Sequence, residues 1–80
     1  MRTCLVVFSE PGHVFEGIHR TIDGATASAA SLGAIRMPDG REITADAVAA
    51  LMHAGSTVTF PCGEQDEAEA VSIERHAILI

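Results

Sequence analysis

Residues 40–61, GREITADAVAALMHAGSTVTFP, constrain the fold more than any other stretch of the chain. Thr44 stands where a helix needs an N-cap, because its hydroxyl can accept from a first-turn N–H that has no partner inside the helix. Asp46 follows within that turn, where a carboxylate meets the positive end of the helix dipole. Ala45, Ala47, Ala49 and Ala50 are strong helix formers, and Val48, Leu51 and Met52 recur at i, i+3 and i+4. The spacing predicts a helix over residues 45–54 with one apolar face, ended by Gly55 in a left-handed C′ conformation. Ser56–Phe60 then alternates, with Val58 and Phe60 on one side and Thr57 and Thr59 on the other, so a strand is expected that Pro61 stops. A capped helix leading directly into a half-apolar strand implies an α+β domain.

The flanking segments extend that frame. Residues 3–8, TCLVVF, are β-branched and apolar enough for a central strand, and Ser9-Glu10-Pro11-Gly12 is a turn signal. Residues 13–32 admit two parses. Phe15, Ile18, Ile22, Ala25, Ala29 and Leu32 have helical spacing, but Gly17 and Gly24 would each weaken that helix by about 1 kcal/mol. In the favoured parse residues 13–22 form a strand hairpinned to the first. A short helix over 24–32 then runs from an Asp23 cap to a Gly33 stop. Residues 34–37 lead into Pro38-Asp39-Gly40, a tight reversal from which Arg41–Ile43 returns. Residues 62–69 read as a polar loop, and residues 70–80 as a last strand with Val71 and Ile73 on one face and Ser72, Glu74 and His76 on the other. The expected architecture is one α+β domain over residues 1–80, a mixed or antiparallel sheet of four to six strands with one or two helices on one face.

Eighty residues allow only one modest core, since domains near this size bury about 60% of their unfolded surface. The core must be aliphatic, because Phe8, Phe15 and Phe60 are the only aromatics. All five basic residues are arginine, and eleven acids bring the formal charge to −6. That balance argues against direct nucleic-acid binding, which requires cations to displace the counterions of phosphate. It suits solubility or a basic partner. The apolar run Cys4–Phe8 is too short for a signal peptide and no stretch approaches a membrane span, so a cytoplasmic location is expected.

Chemistry-bearing patterns are sparse. Cys4 and Cys62 are expected to be small buried hydrophobes in a reducing compartment, with a disulfide open only if their strands are neighbours. His13, His19, His53 and His76 match no zinc-ligand spacing, and neither a metal nor another cofactor is expected. Ser9, Glu10 and His13 share one turn, whereas catalytic triads converge from separate elements, and no nucleophile elbow is present. An enzyme using Cys4 or Cys62 with a histidine is the least favoured class.

The most unusual feature left is the acidic loop. Glu64, Asp66, Glu67 and Glu69 place four carboxylates in six residues, and Asp39, Glu42 and Asp46 supply a second patch around the hairpin and helix start. Charge runs are most often simply solvated surface. The functional alternative is an anionic surface that competes with a phosphate backbone for the arginines and lysines of a protein partner.

A small acidic α+β domain without catalytic motif or export signal resembles phage- and prophage-encoded inhibitors of the anti-CRISPR kind. The resemblance is one of class and covers the whole chain without a shared motif. It implies a non-enzymatic protein that docks on a basic nucleic-acid-binding surface of a CRISPR effector complex and blocks nucleic-acid binding. The segment DGREITADAVAALMHAGSTVTF, Asp39–Phe60, also resembles small bacterial domains, which implies a fold and no activity. The alternative class is an assembly module that pairs through an open sheet edge, with the Val71–Ile80 strand as its candidate. A monomer fits the inhibitor and a homodimer fits the module.

Overall fold

The computed structural model describes residues 2–34, 36, 40–63 and 66–78, with the backbone alone at Ala54. Six elements follow one another: β1 (Arg2–Glu10), β2 (Val14–His19), α1 (Ile22–Ser31), α2 (Ala45–Ala54), β3 (Thr57–Pro61) and β4 (Ala70–Ile78). The strands form one sheet in the order β2-β1-β4-β3, and every pairing is antiparallel. The α+β class, the single sheet and the two helices are as the residue pattern predicted.

Alternation along the strands sorts the side chains onto two faces. Leu5 and Val7 of β1, Val58 and Phe60 of β3, and Val71 and Ile73 of β4 meet Ala25 and Ala29 of α1 and Val48 and Met52 of α2 in one core. Phe60, Ile73, Val7, Val48 and Val71 are fully buried there, each stabilising the fold by about 1.5–3 kcal/mol relative to exposure. The small residues of α1 let its backbone approach the sheet, with Ala25 and Ala29 both fully buried. Cys4, Val6 and Phe8 alternate to the other face and lie outside that core, opposite His76, Glu74 and Ser72. The sheet is therefore covered on one side by both helices and open on the other.

Several local expectations are corrected. The N-cap of α1 is Thr21, whose Oγ1 accepts from the Gly24 amide at 3.1 Å, and Asp23 sits inside the first turn instead. The helix accordingly starts at Ile22 and ends at Ser31. Gly33, at φ +107°, is left-handed as a stop should be. Gly55 is not: its φ of −164° is extended backbone that any residue adopts. Thr44 does cap α2, accepting from the Ala47 amide at 3.2 Å. The second strand is shorter than the 13–22 expected, because His13 still belongs to the turn and Arg20 begins the approach to α1. Pro61 remains in β3 opposite Ala70, which an edge strand tolerates because its outward side needs no ladder donor.

The strand order also overturns one expectation and closes one open alternative. β4 is paired on both sides from Ala70 to Glu74, by β1 and by β3, so the sheet edges are β2 and β3 and not the Val71–Ile80 strand. Both cysteines are free: Cys4 lies in β1 and Cys62 just past β3, with β4 between those strands. Among the described residues of 34–43, Ala34 bridges Cys62 and Arg36 bridges Glu42, while Pro38 and Asp39 of the expected reversal lie outside the described residues; the sheet has four named strands.

Candidate functional site

At the end of the sheet where β1 turns into β2, the hairpin and the acidic loop converge. The register shifts between Val7 and Phe8: Val7 faces Gly17 but Phe8 faces Phe15, leaving Glu16 as the extra residue of a bulge. Bulges re-aim side chains, and here the Ser9 hydroxyl donates to the Glu16 carboxylate at 3.0 Å. The acidic loop is tied to this corner through its backbone. The Glu69 amide donates to the Glu10 carbonyl at 3.0 Å, and the Cys62 amide donates to the Glu69 carbonyl at 3.1 Å.

Between these segments and the end of α1 lies an open cleft of about 570 Å³, walled by Ser9, Glu10, Glu16, Ser31, Asp66 and Glu67 among others. Ser9, by alternation from Val7, points to the helix side of the sheet, so the cleft opens on that side and not on the bare face. Its four carboxylates are unequal. Asp66 organises the loop: its Oδ2 accepts from the Gly63 amide at 2.8 Å, and its own amide donates to the Gly63 carbonyl at 3.1 Å. It also packs so closely on Gly33 that its carboxylate fills the space a side chain at that position would need. Glu10 is engaged by His13. Glu16 and Glu67 are exposed. The neighbouring Cys62 thiol is pushed above its ordinary value of 9.0 by burial and then by the Asp66 charge, which disfavours the reactive thiolate.

Asp66, Glu67 and Glu69 are thus brought to one corner, together with Glu10, Glu16 and Ser9, which the residue pattern did not single out. The missed signal was the hairpin itself: once residues 3–8 pair with 14–19, the residues flanking that turn must meet. Glu42 and Asp46 belong elsewhere, Glu42 bridged to Arg36 and Asp46 in the first turn of α2, and neither lines the cleft. Asp39 and Glu64 lie outside the described residues. His13 pairs with Glu10 and Glu74, and His76 pairs with Glu74.

Those histidine pairs belong to the bare face. His13, at φ 52° in the turn, reaches back so that Nδ1 meets Glu10 Oε1 at 2.5 Å and Nε2 meets Glu74 Oε2 at 3.1 Å. His76 Nε2 meets Glu74 Oε1 at 3.0 Å. Cys4 has His76 as its cross-strand neighbour, but among the described residues no hydrogen bond joins them. Among the described residues, no three histidine, cysteine or acidic side chains are grouped to hold a metal, and no helix is long and apolar enough to cross a membrane.

No family model, curated protein or solved structure matches the chain.

Proposed function

We propose that the chain is a non-enzymatic binding protein whose carboxylate-lined cleft receives cationic side chains of a protein partner. The observation that carries this reading is the cleft at the hairpin corner, where Glu16 and Glu67 stand exposed beside Asp66. A backbone-tied loop and a strand bulge hold these charges in place, so little conformational freedom is lost on binding. The guanidinium group suits such a site best, because its planar fork donates to two carboxylate oxygens at once.

In its narrower form the proposal is an anti-CRISPR-type inhibitor that occupies a basic nucleic-acid-binding surface of an effector complex. The likeness of kind to such inhibitors supports it, together with the net charge of −6. The broader claim is tested with a labelled oligo-arginine peptide followed by fluorescence anisotropy. Affinity should fall at least about tenfold between about 50 mM and about 500 mM salt, as exposed charges are screened. It should also fall when Glu16→Gln, Asp66→Asn, Glu67→Gln and Glu69→Gln are combined. Unchanged affinity in that variant would remove the cleft from consideration. The narrower claim is tested by adding the protein to a CRISPR effector complex and measuring DNA or RNA binding.

A further inference from the structure

Three nitrogen–oxygen contacts on the bare face link Glu10, His13, Glu74 and His76 in one chain of groups. His13 Nδ1 meets Glu10 Oε1 at 2.5 Å, and its Nε2 meets Glu74 Oε2 at 3.1 Å. His76 Nε2 meets the other oxygen of Glu74, Oε1, at 3.0 Å. Protons decide whether this chain closes. An ionised carboxylate accepts hydrogen bonds and cannot donate, and a neutral imidazole carries one N–H and one bare lone pair. A neutral His13 therefore bonds one of its two carboxylates and turns a lone pair toward the other. With both ring nitrogens protonated it donates to both. His76 needs a single proton, on Nε2, so its neutral form is sufficient. The Phe8 ring stacked on His13 favours the charged form as well, since an aromatic face attracts a cation.

We infer that His13 is a proton-operated latch on the β1–β2 turn. Doubly protonated, it clamps residues 11–13 to both β1 and β4; on losing one proton it lets go of one of the two strands. The titratable groups facing it are Glu10 from β1 and Glu74 from β4, with His76 behind Glu74. From β2 the apolar Phe15 reaches this face, while Glu16 is turned to Ser9 on the other. The acidic loop meets the corner through the Glu69 amide, on the Glu10 carbonyl. The latched turn binds one proton more than the released turn, so by linkage latching weakens as pH rises. An ordinary histidine changes charge between about pH 5 and about pH 8 while ordinary glutamates stay ionised, which sets the window. His13 stands at φ 52°, so a turn held by fewer contacts has backbone strain to relieve. The same turn supplies Pro11 and Gly12 to the cleft wall, so the latch shapes that wall whatever the cleft receives.

NMR on the isotopically labelled full chain, from about pH 5 to about pH 8, is the test. At the lower pH the His13 ring should show two protonated nitrogens and NOEs to the Phe8 ring. At the higher pH one nitrogen should be bare and the NOEs lost, with the Gly12 and Val14 amide shifts moving in step. Glu74→Gln is the decisive variant, because a side-chain amide presents both an acceptor and a donor. Its oxygen can still receive from His76 while its NH₂ donates to the bare Nε2 of a neutral His13. That variant should keep the Phe8–His13 NOEs at about pH 8. His76→Ala should leave the pH response of the turn in place. NOEs that stay constant across the range in the wild-type chain, present or absent, would overturn the latch. So would their loss in Glu74→Gln at the same pH as in the wild-type chain. A response abolished by His76→Ala would overturn the assignment to His13.

Discussion

Phe8 and His13 lie ring on ring, their centroids 3.9 Å apart and their planes within 11° of parallel. The stack fastens the β1–β2 turn onto the bare face, and the same imidazole bridges Glu10 and Glu74. One side chain thereby ties the turn to β1 and β4. Since His13 sits at φ 52°, where a Cβ is strained, its contacts must offset a backbone cost. His13→Ala keeps the strain and removes the contacts. It should lower stability by about 1 kcal/mol in urea unfolding, and His13→Gly should lower it less.

Gly33 is the position least able to accept a side chain. Its φ of +107° is unfavourable for any Cβ, and the Asp66 carboxylate occupies the space that a Cβ needs. Gly33→Ala is expected to cost about 1–3 kcal/mol and to lower the melting temperature. Adding Asp66→Ser should recover only the steric part, leaving the backbone strain.

The two faces of the sheet should respond oppositely to truncation. Phe60→Ala empties a fully buried site and should cost about 3–5 kcal/mol, enough to unfold much of a domain this small. Phe15→Ala, on the bare face, should change the stability of the monomer by no more than about 0.5 kcal/mol. Comparable losses at both positions, by thermal or urea unfolding, would contradict the one-sided core.

Cys62 should react slowly with iodoacetamide at neutral pH, since burial and the Asp66 charge both raise its pKa. Asp66→Asn keeps an acceptor for the Gly63 amide, removes the charge and should accelerate alkylation. The same shift has a sign in stability. The folded thiol holds its proton to higher pH than the unfolded one, so this contribution is complete below the ordinary value of 9.0 and is lost as pH rises through the folded pKa.

Local chemistry was legible in the chain and long-range pairing was not. Thr44, the alanines and the Val48–Met52 stripe act within one helix, so α2 could be read within its own ten residues. At α1 two capping residues compete: Thr21 prevails over Asp23 because its hydroxyl reaches the Gly24 amide. The alternation of β3 and β4 marked which side chains enter the core, but alternation carries no information on neighbours. The interior place of β4 therefore emerges only from its pairing with both β1 and β3. The cleft was half legible. Its loop acids stand out as a run, whereas Glu10 and Glu16 join them only through the hairpin register and its bulge.

An NMR titration of the isotopically labelled chain with a short oligo-arginine peptide tests the central claim most directly. Amide shifts confined to Ser9, Glu16, Asp66, Glu67 and Glu69, reversed by added salt, are the expected result. Shifts spread evenly to Glu42 and Asp46, or none at the hairpin corner, would contradict a built cationic-side-chain site and leave only a negatively charged surface.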